Sequence, residues 1–233
     1  MKTVGLIGGM SWESTQIYYR RINELVKERL GGLHSARLLL YSVDFHEIEQ
    51  LQHAGRWEEA GELLAAAARS LAAAGADFLL ICTNTMHKIA PAVEAAVSIP
   101  LLHIADATAA EIGRAGARTV GLLGTRFTME ENFYRGRLQE EHGIPVLLPD
   151  AEERALVHQV IYQELCLGTV RDESRAAYRD IIRRLVERGA EGIILGCTEI
   201  GMLVTAADAP VPLFDTTEIH ARAAVDRALL DIT

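Results

Sequence analysis

The chain of 233 residues lacks several features that would place it at a membrane or on nucleic acid. No apolar stretch approaches the ~20 residues that a membrane-spanning helix needs, and the first residues lack the apolar run of a signal peptide. The net charge is −9 and no long run has one sign, which disfavours a surface for nucleic acid or anionic lipid. These absences predict a cytoplasmic protein with no nucleic-acid or membrane partner.

Cysteine is also scarce, with one residue each at positions 82, 166 and 197, and no C-x-x-C pair. This pattern disfavours structural zinc and a redox dithiol, so no metal site is predicted. In a cytosolic chain all three are expected to be reduced thiols. Cys82 and Cys166 are interpreted as small buried side chains of the core, whereas the surroundings of Cys197 are more specific.

A dinucleotide fingerprint is missing as well. Gly5-x-x-Gly8-Gly9 follows a predicted strand, but it is not the G-x-G-x-x-G pattern, and no acidic residue is placed to hold a ribose. A nucleotide-binding oxidoreductase is therefore disfavoured, and no cofactor is predicted.

What the chain does contain is an internal duplication. The apolar runs that lead into Cys82 and Cys197 each follow Gly-Ala and an acidic residue, and the two glycines, Gly75 and Gly189, lie 114 positions apart. Two further pairs of similar segments keep the same order at offsets of 116 and 112: 3–8 with 119–124, and 99–103 with 211–215. Recurrence at a nearly constant spacing indicates a duplicated unit.

Strand and helix patterns alternate along both halves, which predicts an α/β fold with two pseudo-symmetric lobes. Each lobe is a mostly parallel sheet flanked by helices, and the active site lies in the inter-lobe cleft. The first lobe is predicted to hold residues 1–104 plus 216–233, and the second to hold 105–215. The predicted strands are 3–7, 37–43, 78–82, 100–103, 120–123, 146–148, 192–195 and 211–214. The predicted helices are 12–30, 58–74, 88–96, 105–115, 129–142, 152–167, 173–188, 198–203 and 216–230.

Polar residues at the carboxyl ends of parallel strands lie where open α/β sheets bind ligands. The duplication sets Thr83 and Cys197 at equivalent strand ends, 114 positions apart. If they face each other across one cleft, a substrate carbon between them can lose a proton to one wall and receive one from the other. Two opposed acid/base groups therefore predict inversion of a stereocentre.

Cys197 is the stronger of the two candidates. Its thiolate is the reactive form, and it lies at a predicted strand-to-helix junction. Thr198 and its neighbours can offer backbone N–H groups to a substrate carboxylate. Glu199 is either a helix-capping residue or a catalytic one.

Thr83 needs a neighbour that accepts its proton before it can act as a base. Strand alternation turns Cys82 to the opposite face, towards the core, although a break in alternation would make it an alternative base. Asn84 and Thr85 offer groups for a substrate carboxylate or amine. His87 is either a structural hydrogen-bonding residue or a catalytic one.

Three motifs, Gly8–Thr15, Thr83–Thr85 and Gly196–Glu199, resemble those of the aspartate/glutamate/hydantoin racemases, which work without pyridoxal phosphate. The resemblance spans nearly the whole chain and is strongest to bacterial racemases that are specific for L-aspartate and L-glutamate or broad in specificity. It implies an amino-acid racemase, acting as a homodimer, with position 83 and Cys197 as the catalytic pair. It also implies a substrate pocket lined by Met10, Ser11, Gln52, Asn84, Thr85, Thr198 and Glu199.

The chain departs from the family pattern at two positions. Most members have cysteine where this chain has Thr83, so we expect a directional bias: Thr83 donates a proton more readily than it accepts one. Aspartate racemases often have a lysine where this chain has Cys166, which weakens the expectation of strict aspartate specificity. Outside the resemblance, Met10 is typical of a packing residue and Gln52 of a solvated helix position.

Two other classes of function remain open from the residues alone. Two α/β lobes with a cleft also describe non-catalytic proteins that bind small ligands. A decarboxylase or isomerase with a single thiol is a further alternative, since one thiol suffices to protonate one face. Exchange of the substrate Cα proton with solvent deuterium separates an enzyme from a binding protein.

Overall fold

The structure, a computed structural model, describes residues 1–230. The chain divides into two compact units, of which one holds residues 1–104 with the C-terminal segment from His220, and the other Ala105–Ile219. Each unit contains one parallel sheet flanked by helices, so the predicted fold class is confirmed. Residues 231–233 of the predicted first lobe lie outside the described part. No helix within residues 1–230 has the length and apolar character to cross a bilayer.

The first unit is built on a three-stranded parallel sheet in the order β2-β1-β3. Its strands are β1 (Val4–Gly8), β2 (Leu38–Ser42) and β3 (Phe78–Ile81). Its helices are α1 (Trp12–Leu30), α2 (Phe45–His53), α3 (Trp57–Ala73) and α4 (Ala90–Ala96), with a 3₁₀ segment at Thr85–Ile89. The helix α5 (Ile104–Arg114) begins at the boundary with the second unit.

Strand alternation gives the first unit two separate cores, one on each face of its sheet. Leu79 and Ile81 of β3 pack in the core that holds the alanine-rich face of α3. Leu80 and Cys82 point the other way, into a core with Tyr18 of α1. The same second core receives the C-terminal helix α11 (Thr216–Leu229) through Ala221, Ala224 and Val225. The prediction that Cys82 packs in the core agrees with this arrangement.

The second unit has a four-stranded parallel sheet in the order β5-β4-β6-β7. Its strands are β4 (Val120–Gly124), β5 (Val146–Leu147), β6 (Ile193–Gly196) and β7 (Leu213–Asp215). Its helices are α6 (Arg126–Glu130), α7 (Asn132–Glu140), α8 (Ala151–Gln163), α9 (Asp172–Glu187) and α10 (Ile200–Leu203), with 3₁₀ segments at Leu165–Leu167 and Ala206–Asp208.

The repeated Gly-Ala-acid motif has the same structural role in both units. Gly75 and Gly189 end the preceding helix with positive φ angles of 95° and 101°, which side chains other than glycine rarely adopt. The side chain of the acidic residue then accepts a hydrogen bond from a backbone N–H that lies just before the first strand of the same sheet. Asp77 accepts from Thr3 at 2.5 Å, and Glu191 accepts from Arg118 at 2.6 Å. The motif therefore ties each central strand to its neighbour.

Several predicted elements are wrong in detail. Residues 100–103 form a single bridge, Leu79 with Leu101, instead of a strand. The predicted helix 129–142 is broken at Glu131, whose backbone is extended, into α6 and α7. The helix α2 was missed: it is nine residues long and starts at Asp44, whose side chain accepts a hydrogen bond from His46 N–H.

Candidate active site

In the first unit, the chain beyond β3 is held by side chains from two other elements. Ser14 of α1 donates its hydroxyl to the carbonyl of Cys82 at 3.0 Å. His87 Nδ1 lies 2.8 Å from the carbonyl of Thr83. Thr83 itself is half-buried, and the following Asn84 is buried where the 3₁₀ segment begins. The hydroxyl of Thr83 therefore projects from a backbone that is fixed on both sides.

The turn after β1 lies beside this strand end, because Cys82 N–H donates to the carbonyl of Ile7 at 2.9 Å. Thr15 closes the turn: its hydroxyl accepts from Gly9 N–H at 2.8 Å and donates to the carbonyl of Ser11 at 2.9 Å. Ser11 caps α1 by accepting from Ser14 N–H. The predicted pocket residue Ser11 is thus adjacent to the Thr83 strand end in the first unit.

Met10 and Gln52, both predicted to line the pocket, are buried side chains of the first unit. Met10 packs in the core with only 4% of its surface exposed. Gln52 is not a solvated helix residue, as its sequence context suggested, because it is 5% exposed and donates its amide to Met86 Sδ at 2.9 Å. Its position on the buried face of α2 explains the difference.

Three buried histidines and a tyrosine lie beneath the Thr83 strand end. The ring of His87 is 4.5 Å from that of His103 and 5.8 Å from that of His220. Tyr18 shares a hydrogen bond of 2.9 Å with His220 Nδ1. Burial, with the rings of His103 and His220, holds the pKa of His87 well below its ordinary value. Burial lowers the pKa of His220 to about 4, so both imidazoles are neutral at pH 7.

In the second unit, Cys197 follows β6 and its thiol donates to Glu199 Oε2 at 2.8 Å. Burial, then Glu199, then Cys166 raise the pKa of the Cys197 thiol well above its ordinary value. The resting group is therefore a thiol with a carboxylate next to it that can receive its proton. Glu199 occupies the N-cap position of α10, but its side chain makes no capping hydrogen bond to that helix.

The surroundings of Cys197 correct one expectation from the sequence. Cys166, expected in the core, is exposed. It lies close enough to Cys197 to raise the pKa of that thiol, so its surroundings are those of the Cys197 strand end and not of the core. Tyr178, fully buried behind the same strand end, donates its hydroxyl to the carbonyl of Val157 at 3.1 Å.

The residues just beyond Cys197 are held by the start of α11. Thr217 donates its hydroxyl to Thr198 Oγ1 at 3.3 Å, and Thr216 donates its own to the carbonyl of Leu195 at 2.9 Å. Asp215 accepts from the backbone N–H groups of Thr217 and Glu218, which caps α11. The Cys197 strand end is thus fixed by threonines and a carboxylate.

Each unit therefore brings part of the predicted site together on its own. In the first unit Ser11, Thr83, Asn84 and Thr85 lie around one pair of strand ends, and in the second Cys197, Thr198 and Glu199 follow one strand. Four side chains around the first strand end were not predicted as site residues from the sequence: Ser14, Tyr18, His103 and His220. The two histidines carry no local motif, because their roles depend on contacts between elements far apart in the chain.

One cluster has the residue types of a metal site. Ligand atoms of Asp106, Glu141 and His142 lie within 4.8 Å of one another. Arg137 donates to both carboxylate oxygens of Asp106, at 2.6 and 2.8 Å, and lies 3.3 Å from Glu141. A guanidinium already balances these carboxylates, so the cluster is explained as an ion-pair network.

Comparisons with known proteins agree on one family. A family model described as Asp/Glu/hydantoin racemase matches residues 7–224. A Yersinia pestis protein provisionally identified as an Asp/Glu racemase is 62% identical, with a TM-score of 0.94 over 98% of this chain and 100% of its own. An aspartate racemase homologue from Pyrococcus horikoshii OT3 is 36% identical, with a TM-score of 0.86 over 98% and 99%. The broad specificity amino-acid racemase of Bacillus subtilis (strain 168) is 22% identical over 97% and 98%.

Proposed function

The chain belongs to the Asp/Glu/hydantoin racemase family and is an isomerase, and we propose that it inverts the Cα centre of amino acids by two-base proton transfer without a cofactor. Cys197 removes the Cα proton from one face and Thr83 delivers a proton to the other. The observation that carries this proposal is the hydrogen bond from the Cys197 thiol to the Glu199 carboxylate.

That hydrogen bond supplies what the first step requires. A thiol must lose its proton before it can act as a base. Glu199 lies 2.8 Å from the sulfur and can accept that proton. The surroundings that keep the thiol protonated at rest also make the thiolate, once formed, a stronger base towards the Cα proton. We propose that Glu199 and Cys197 together form the proton-abstracting side.

Thr83 is suited to the opposite role. A hydroxyl donates a hydrogen bond readily but is a poor base without an acceptor for its proton. The groups beneath it are neutral imidazoles, which offer no carboxylate to receive a proton. We therefore propose a directional racemase, in which the enantiomer that loses its proton to Cys197 is converted faster than the other.

The proposed substrates are aspartate, glutamate or a broader set of amino acids. The names of the relatives support the amino-acid class, and they differ between aspartate, glutamate and broad specificity. Thr85 and Thr198 are proposed as groups that bind the substrate, together with Met10, Ser11, Gln52, Asn84 and Glu199. The proposed partner is thus a small amino acid, with no resident metal or cofactor.

The proposal is tested by incubating L- and D-amino acids with the protein in D₂O. Proton NMR measures Cα exchange and chiral chromatography measures inversion. Cys197→Ser should lower both by about 10³-fold, while Cys166→Ser, which removes only a neighbour that adds to the pKa shift of Cys197, should lower them far less. If no amino acid in the panel exchanges its Cα proton, the protein is better explained as a non-catalytic binding protein, and the proposal fails.

A single-thiol reaction is the second candidate, because the Cys197–Glu199 pair alone can protonate one face. Exchange without inversion, unchanged by Thr83→Ala, would favour that alternative.

A homodimer is also proposed, and the exposed residues Leu40 (48%) and Tyr41 (41%) on the edge strand β2 support it. Sedimentation of the protein and of Tyr41→Glu measures the state: a monomer in both would contradict the dimer.

A further inference from the structure

We infer that His87 and Ser14 are positioning residues that fix the direction of the Cα–Cβ bond carrying the Thr83 hydroxyl, because they hold the two peptide planes on either side of its Cα. This inference rests on the proposed function, in which Thr83 delivers the second proton. We call the two hydrogen bonds, Ser14 to the Cys82 carbonyl and His87 to the Thr83 carbonyl, the Thr83 clamp.

The first half of the clamp acts on the peptide before Thr83. The carbonyl of Cys82 belongs to the plane that sets φ of Thr83, and Ser14 holds it at 3.0 Å. Ser14 is 2% exposed, so this bond is protected from water. The N–H of Cys82 in the preceding peptide is bound to the carbonyl of Ile7, which fixes the strand up to that point.

The second half acts on the peptide after Thr83. The carbonyl of Thr83 belongs to the plane that sets ψ, and His87 Nδ1 holds it at 2.8 Å. The backbone N–H of His87 also donates to the carbonyl of Asn84 at 3.0 Å. Because φ and ψ are both fixed, the Cα–Cβ bond that carries the Thr83 hydroxyl has one direction.

The hydrogen bonds also fix the tautomer of His87. The backbone N–H of Ile104 can only donate, and it lies 3.2 Å from His87 Nε2, so Nε2 must accept. The proton of the neutral ring is therefore on Nδ1, where it donates to the carbonyl of Thr83. Both nitrogens are occupied, and His87 is 1% exposed. The side chain has no free atom for a catalytic proton transfer, which assigns it to positioning.

A second layer keeps the His87 ring in place. The titratable groups that face it are His103, His220 and, through His220, Tyr18. His220 Nε2 lies 2.8 Å from the carbonyl of Leu102, so Nε2 carries its proton and Nδ1 accepts from the Tyr18 hydroxyl. These rings enclose the His87 imidazole on two sides, and burial keeps the pKa of His220 low, so no charged His220 lies against it at pH 7.

Positioning on this scale matters for proton delivery, because a displacement of about 1 Å can cost roughly 10²-fold in rate. Loss of the Thr83 clamp should affect only the second proton transfer. Removal of the Cα proton by Cys197 does not require Thr83, whereas inversion does. A loosened clamp should therefore separate two quantities that intact protein keeps together: Cα exchange in the recovered substrate, and formation of the opposite enantiomer.

The experiment measures the ratio of inverted product to exchanged substrate in D₂O for His87→Ala, His87→Asn, His87→Gln and Ser14→Ala. Asparagine places an amide N–H near the position of Nδ1, and glutamine reaches the position of Nε2 instead. We expect His87→Ala, His87→Gln and Ser14→Ala to lower the ratio by about tenfold or more, and His87→Asn to restore most of it. His220→Gln, which removes a ring beside His87 without touching the Thr83 carbonyl, should lower the ratio much less than His87→Ala does.

The inference is overturned if the ratio of folded His87→Ala equals that of the unsubstituted protein, or if His220→Gln lowers it equally. For variants that do not fold, ¹⁵N NMR of the unsubstituted protein provides the second measurement. It should show a neutral His87 ring with its proton on Nδ1 at pH 7, and the other tautomer would also overturn the inference. Absence of Cα exchange in the unsubstituted protein would instead contradict the proposed function, and with it the role of Thr83 that the clamp serves.

Discussion

The strand ends beyond β3 and β6 share a scaffold and differ in their chemistry. In the first unit, neutral imidazoles lie beneath a hydroxyl, and two side chains fix its backbone. In the second unit, the Cys197 thiol donates a hydrogen bond to the Glu199 carboxylate, and the Asp215 carboxylate caps α11. The position equivalent to His87 is Gly201, where a Cβ would lie 3.2 Å from Asp215 Oδ2. Both units thus keep the strands and their acidic ties, while the side chains at the two strand ends differ; under the proposed function, this difference makes one end the proton acceptor and the other the donor.

The largest expected effect comes from removing the accepting side. Cys197→Ser should lower Cα exchange and inversion together by about 10³-fold, because a hydroxyl is a much weaker base than a thiolate. Cys166→Ser should have a much smaller effect, since this exposed side chain contributes to the pKa of Cys197 only after burial and Glu199. The measurement is deuterium incorporation at Cα; comparable losses in both variants would contradict the distinct role of Cys197.

Acid should destabilise the first unit through its imidazoles. The pKa of His220 is depressed to about 4 in the folded state, so the unfolded chain binds more protons below its ordinary value of 6.5. Stability is therefore fully present above pH 6.5 and is lost as the pH falls towards 4, by about 3 kcal/mol for this group. The depressed pKa of His87 acts in the same direction.

Urea unfolding between pH 7.5 and pH 4.5 measures this loss. His220→Gln should be less stable at pH 7.5 and show a smaller dependence on pH, because the group that titrates is gone. His34→Gln is the matched control, since His34 is exposed and should leave the pH dependence unchanged. Equal pH dependence in His220→Gln and the unsubstituted protein would contradict the burial argument.

Making the two strand ends alike should reduce the directional bias. Thr83→Cys replaces the hydroxyl with a group that can both donate and accept, so the ratio of rates from the two enantiomers should move towards unity by more than about tenfold. Initial rates from each pure enantiomer measure the ratio. An unchanged ratio, or equal rates in the unsubstituted protein, would show that Thr83 does not cause a bias.

A smaller effect is expected from the carboxylate beside the thiol. Glu199→Gln removes a negative charge that, after burial, raises the pKa of Cys197, so the thiolate should form at lower pH. The Cys197 thiol nevertheless loses the carboxylate that accepts its proton, so the rate of inversion should fall by about tenfold. Iodoacetamide labelling of Cys197 against pH measures the first effect; a shift to higher pH would contradict the assignment.

The sequence predicted the parts of this molecule that depend on local pattern. Strand runs, the helix at residues 12–30 and the duplicated Gly-Ala-acid motif are encoded in neighbouring residues, and the described residues contain the helix, the motif and seven of the eight predicted strands. The burial of Gln52 and the exposure of Cys166 were not predictable in this way, because each depends on how distant elements pack.

The same limit applies to the candidate site. The motifs pointed to Thr83, Cys197 and Glu199 as chemically distinctive positions, and the hydrogen bond between the last two is short-range. Ser14 and His220 act through contacts that span 68 and 118 positions of the chain. No periodicity or motif reports such contacts, so the groups that orient Thr83 emerge only from the three-dimensional structure.

The position of α11 has a consequence for the order in which the two units can fold during synthesis. Val4 and Leu6 of the first strand share their core with Ala221, Ala224 and Val225, and Lys2 N–H donates to the carbonyl of Ala228. During synthesis, the ribosome must therefore translate the whole second unit before the first can cover that side of its sheet. The strand β1 therefore waits for α11 before that face of its sheet is covered, which places completion of the first unit after synthesis of the second.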